Sequence, residues 1–199
     1  MKIQNKKAAM EMSIGTIVTI VLLMSVLVLG LVLVRSIFTS ATDSVDSLGE
    51  KVQAAIDSTF AEEGAPVVVL LGTDKKAKIK AGTADFGVAF GASTHDGTKA
   101  TENRLKFKIS LDTSARENCI TKMTEVKVER LINENIGTRL DFEEIAGPNA
   151  YARVTFNIPK GTPLCTQKIF IDAYDTDQPV DDFLGRATFR IQIIKSGLF

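Results

Sequence analysis

Between Met12 and Val34 the chain reads MSIGTIVTIVLLMSVLVLGLVLV without one charged residue. Glu11 and Arg35 bound the run, and Ile37 and Phe38 carry the apolar stretch past the arginine. A helix of about 20 such residues crosses a hydrocarbon core of ~30 Å. A buried core helix of that length would need a polar face. A cleaved secretory signal would carry a shorter apolar run ending in a small-x-small site. The pattern predicts a transmembrane helix over 12–38, preceded by a basic leader over 1–11. Lys2, Lys6 and Lys7 stand before the span, while Asp43, Asp46 and Glu50 follow Arg35. Basic flanks stay on the cytoplasmic side, so a single-pass protein is expected, with its N-terminus in the cytoplasm and its C-terminal domain outside the cell membrane.

The next segment is polar but periodic. Val45, Leu48, Val52, Ile56 and Phe60 recur at helical spacing, which predicts an amphipathic stalk over 39–65 ended by Gly64-Ala65-Pro66. Gly49 lowers helix propensity by ~1 kcal/mol without ending the helix, so span and stalk read as one helix of about 50 residues. The stripe suits two partners: the chain's own outer domain, or neighbouring copies packed along a seam.

From residue 66 the period changes to 2. Leu105-Lys-Phe107-Lys-Ile109-Ser-Leu111 alternates as a half-buried strand does, and Ala152–Ile158 alternates before the turn at Pro159-Lys-Gly161. Further strands are predicted at 67–71, 77–81, 86–92, 123–129, 168–174 and 187–194, with a weaker one at 140–145 and a helical turn at 129–135. Turn clusters separate them, among them Ser93-Thr-His95-Asp96-Gly97 and Asp175-Thr-Asp177-Gln-Pro179. The fold class expected is α+β overall: a long N-terminal transmembrane helix, then an all-β immunoglobulin-like antiparallel sandwich over 66–199.

Composition changes this picture in two places. The 199 residues carry 24 Lys+Arg against 24 Asp+Glu, which removes the electrostatic case for a nucleic-acid partner. The two cysteines, Cys119 and Cys165, are too few for a structural zinc site, and an outside location favours a disulfide between them over two free thiols.

Candidate chemistry is sparse. The single histidine, His95, stands beside Thr94 and Asp96, but adjacent residues cannot form a hydrolytic triad, whose members converge from separate elements. No nucleophile elbow, phosphate loop, zinc-protease or dinucleotide motif occurs, so no enzyme and no cofactor are expected. The acidic stretch Asp172, Asp175, Asp177, Asp181 and Asp182 could offer oxygens to calcium, although its spacing is not that of an EF-hand.

The N-terminus Lys6-Lys7-Ala8-Ala9-Met10-Glu11, followed by Ser13-Ile14-Gly15-Thr16-Ile17-Val18, resembles the start of archaeal type IV pilins and archaellins. The resemblance covers about 30 residues and implies leader cleavage after Ala8, with Lys7 and Ala8 at the cut and Ala9 first in the mature chain. Glu11 would then be third, where type IV pilins usually carry an acidic residue fifth. It also implies a filament subunit assembling through its N-terminal helix. The alternative is a permanently anchored envelope protein whose sandwich binds a surface partner. Expected partners are therefore the membrane and either other copies of the chain or an unknown surface protein.

Overall fold

The computed structural model describes residues 15–29, 48–114, 118–177 and 182–195, in two units divided between 40 and 41. Strands form where the alternation puts apolar residues on one side. They are β1 (Val67–Val69), β2 (Lys76–Lys80), β3 (Phe86–Ser93), β4 (Leu105–Leu111), β5 (Arg139–Asp141), β6 (Glu144–Ala146), β7 (Asn149–Phe156), β8 (Thr166–Asp175) and β9 (Phe183–Ile194). They build a four-stranded sheet in the order β1-β3-β7-β6 and a five-stranded sheet in the order β2-β9-β8-β4-β5. Phe86, Val88 and Phe90 of one sheet share a core with Phe107, Ile109, Ile171 and Phe189 of the other. This is a β-sandwich of immunoglobulin-like type.

β3 is buried on both faces, which an ordinary half-exposed strand is not. Its bulky residues enter the sandwich core, while Ala89 joins a second cluster with Leu48, Ile56, Val68 and Tyr151. The cover is a helix, labelled α2 (Glu50–Glu63). Gly91 lets it approach: a Cβ there would stand 2.7 Å from Ile56 Cγ2 and 3.2 Å from the Phe60 ring. The three consecutive valines of β1 have the same cause, with Val67 and Val69 facing the core and Val68 facing α2.

Several expectations are corrected. Gly49 is extended (φ −60°, ψ 165°) and caps α2, so the helix starts at Glu50 and no single 50-residue helix runs into it. Residues 123–129 are not a strand. Met123 and Thr124 are extended residues between two short helices, α3 (Cys119–Lys122) and α4 (Glu125–Glu129), and 125–129 form the second. There Val128, Leu131 and Ile132 are buried at helical spacing, while Val126 is exposed. The weak strand at 140–145 is two strands, β5 and β6, in different sheets. The sandwich is also not wholly antiparallel, because β2 pairs with β9 in parallel. Period-2 alternation fixes which face of a strand is buried but not the direction of its neighbour.

The N-terminal span is corrected as well. Residues 15–29 form a helix, α1, and among the described residues no helix is long and apolar enough to cross a membrane. The fold class is therefore a β-rich sandwich with helices, and among the described residues no helix supports single-pass membrane anchoring. The leader 1–11, with Lys7, Ala8 and Glu11, lies outside the described residues, as do Val45 and Asp181.

Candidate functional site

Two places on the chain concentrate chemistry: the apolar helix α1 and a set of loops at one end of the sandwich. α1 is built from β-branched and leucine residues with polar groups turned inward on its own backbone. Thr19 donates to the Gly15 carbonyl and Ser25 to the Val21 carbonyl, each at 2.8 Å, so neither hydroxyl marks a polar face. Ile17, Val18, Ile20, Val21, Leu22 and Leu23 are all exposed, and so are Met24 and Val26 through Leu29. Their exposures run from 48% at Ile20 to 67% at Val26, all around the helix rather than along one stripe. Large contiguous apolar surfaces of this kind mark contact sites.

The loop site brings together two segments that the sequence treats separately. The β3–β4 connection carries His95, Asp96 and Thr98; the β8–β9 connection carries Asp175 and Asp177. Between them lies Arg104, buried just before β4. Its Nε and Nη2 donate to the two carboxylate oxygens of Asp175, each at 2.8 Å. Nη2 also donates to Asp96 Oδ1 at 2.8 Å, and Nη1 to Thr98 Oγ1 at 2.7 Å. Asp177 approaches Nε at 3.3 Å. Asp175 is itself fully buried, so the pair is a bidentate, desolvated ion pair.

The electrostatics follow from that geometry. The Arg104 guanidinium, then the Thr98 hydroxyl and N–H, hold the Asp96 carboxyl down at about 2. Arg104 likewise keeps Asp175 below the usual carboxylate range, against the burial that pushes it up. Asp175 in turn raises Arg104. Both carboxylates are more acidic folded than unfolded, where an aspartate titrates near about 3.9. Their stabilisation is present above that pH and is lost as pH falls, in the case of Asp96 through about 2.

The candidates from the sequence can now be placed. The Cys119–Cys165 disulfide is formed, with a Cα–Cα distance of 5.0 Å, and ties α3 to the residue before β8. Closing a loop of that length stabilises by about 4 kcal/mol in the chain-entropy picture. His95 is exposed at the loop tip, and its backbone N–H donates to the Asp175 carboxylate. Thr94 is committed to the Thr98 carbonyl at 2.8 Å and Asp96 to Arg104, so these neighbours share no catalytic geometry. The acidic stretch is divided among arginines: Asp172 binds Arg186 at 2.5 and 3.0 Å, Asp175 and Asp177 meet Arg104, and Asp182 pairs with Arg139. Among the described residues no group of three or more His, Cys, Asp or Glu could hold a metal, so the calcium expectation has no site here.

No family model and no curated protein matches this chain. Among solved structures, the ASH / PapD-like domain of human CEP192 (PapD-like domain 7) is similar at 11% identity. It has a TM-score of 0.34, over 67% of this chain and 88% of that one.

The stripe residues of the stalk lie against the chain's own sandwich. Ile56 is fully buried and Leu48 nearly so, while Val52 and Phe60 are half-buried in the same cluster. Polar bonds fix the same interface: Tyr151 Oη donates to Asp57 Oδ1 at 2.7 Å and Asn149 Nδ2 to the same oxygen at 2.8 Å. Burial, then the bond to Asp57, pushes the Tyr151 phenol up to about 12. Sequence reasoning missed Arg104, because a lone arginine before a strand carries no periodic signal. The nearest hint was the two flanking acidic turns.

Proposed function

We propose that this chain is a filament subunit whose apolar N-terminal helices pack against one another, with the sandwich as the outward head. The observation that carries the reading is α1, whose apolar side chains are exposed on every side. A helix that is apolar all round needs cover on all sides, and a bundle of identical helices supplies it. The resemblance of residues 6–18 to archaeal type IV pilins and archaellins supports the same reading and adds a switch. Lys2, Lys6 and Lys7 would oppose burial in an apolar bundle, so removal of the leader after Ala8 would release the helix for assembly.

The test is N-terminal sequencing of the native protein together with electron microscopy of the purified material. A chain beginning at Ala9 and filaments in the micrographs are expected. An intact chain from Met1, or processed chains that stay monomeric in lipid vesicles, would overturn the reading.

A further inference from the structure

The chain's formal charge is zero, but its charges are not evenly spread. On β2, Lys76, Lys78 and Lys80 alternate with the core residues Ala77 and Ile79, so the lysines share the outer face of the five-stranded sheet. By the same alternation Arg186 and Arg190 of β9, Lys168 of β8, and Lys106 and Lys108 of β4 stand on that face. The register makes the patch continuous: Arg190 lies opposite Lys76 on one side and Lys168 on the other. The acidic residues nearby are spent locally, Asp172 on Arg186, Asp141 on Lys106 and Asp112 on Lys168. Lys76, Lys78, Lys80 and Arg190 have no ion-pair partner among the described residues. Lysines on an edge strand such as β2 are an ordinary guard against edge-to-edge pairing. That explanation does not reach Arg190 and Lys168, which sit on interior strands of the sheet.

The opposite side of the sandwich has the opposite sign. α2 covers the outer face of the four-stranded sheet and exposes Glu50, Asp57, Glu62 and Glu63 against Lys51, with Glu63 paired to Lys75 and Asp57 bonded by Tyr151 and Asn149. Glu144 of β6 is exposed, and its pairing with Tyr151 puts it on the α2 side.

We propose that the outer face of the five-stranded sheet docks on the acidic α2 side of a second copy of this chain. This deepens the filament reading and rests on it. Two different, complementary surfaces on one subunit make a head-to-tail contact, and such contacts propagate into open arrays rather than closing in pairs. The occupant is a second copy because the chain carries the complementary charge itself and has no net excess to neutralise.

A charge swap in the full chain tests this by sedimentation and electron microscopy. One variant carries Lys78→Glu and Arg190→Glu; the other carries Glu62→Lys and Glu144→Lys. Neither alone should polymerise at wild-type yield, since each cancels the charge of one docking face, whereas their mixture, which restores opposite charges at the swapped positions, should form alternating polymer at wild-type yield. Wild-type polymer mass should fall about tenfold at ~1 M NaCl, where screening acts over ~3 Å. Circular dichroism melts check that both variants are folded, with Lys78→Glu alone as the replacement if the double variant is not. Variants that polymerise as the wild type does, or a folded mixture that fails to polymerise, would overturn the docking while leaving helix-driven assembly standing. If the wild type forms no polymer at low salt, both readings fall together.

Discussion

α1 and α2 are two helices with opposite relations to water. α2 carries one apolar stripe, and the sandwich covers it, Ile56 lying against Gly91 and Tyr151 bonding Asp57. α1 is apolar on every side, and its side chains are exposed. A stripe can be satisfied by one surface of the same chain. An all-round apolar helix needs several surfaces, which other copies can supply. The contrast locates stability in α2 and makes α1 the surface on which the proposed assembly rests.

The strongest way to break the comparison is to place the same charge in each helix. Ile56→Asp buries an unpaired carboxylate and should cost about 4 kcal/mol or more, abolishing a cooperative thermal melt. Leu22→Asp should leave the sandwich melting where it is, within about 0.5 kcal/mol, while filaments disappear from micrographs. If Ile56→Asp melts normally, the stripe is not part of the core. If Leu22→Asp still polymerises, α1 is not the seam.

A smaller effect sharpens the α2 side. Gly91→Val puts a branched side chain where even a Cβ would meet Ile56 at 2.7 Å. Overpacking there should cost about 1–3 kcal/mol in a urea titration, and a companion Ile56→Ala should relieve part of it non-additively. Strict additivity of the two would show that α2 does not press on β3.

The smallest effect is polar and pH-dependent. Tyr151→Phe removes the bond to Asp57 and should cost about 1 kcal/mol at neutral pH. In the wild type the folded phenol is raised to about 12, against an unfolded value near about 10. The folded state therefore holds its proton longer, and this stabilisation is lost as pH rises from about 10 to about 12. Chemical denaturation across that range should show a shallower alkaline decline in Tyr151→Phe; equal slopes would place the phenol in water.

Much of the sandwich is legible in the alternation of Leu105–Leu111 and Ala152–Phe156, because a strand with one wet face must alternate. β3 is the exception that proves informative: Phe-Gly-Val-Ala-Phe-Gly alternates large with small, a record of the helix lying on its outer face. The helix at 125–129 was hidden because Val126 and Val128 also fit a period of 2. Arg104 was invisible for a different reason. Its role depends on Asp96 and Asp175, 8 and 71 positions away, and no local pattern reports a partner at that distance.

Read alone, the residues determined that an apolar helix precedes a two-layer β domain, that Cys119 and Cys165 could meet, and that charge sums to zero. These are properties of composition and period, which each segment carries by itself. Tertiary structure decided that Leu48, Val52, Ile56 and Phe60 of the stalk belong to the sandwich, that Asp172, Asp175, Asp177 and Asp182 pair with arginines, and that basic and acidic residues gather on different faces. Those outcomes depend on which strands become neighbours, and strand order is set by the packing of the whole domain.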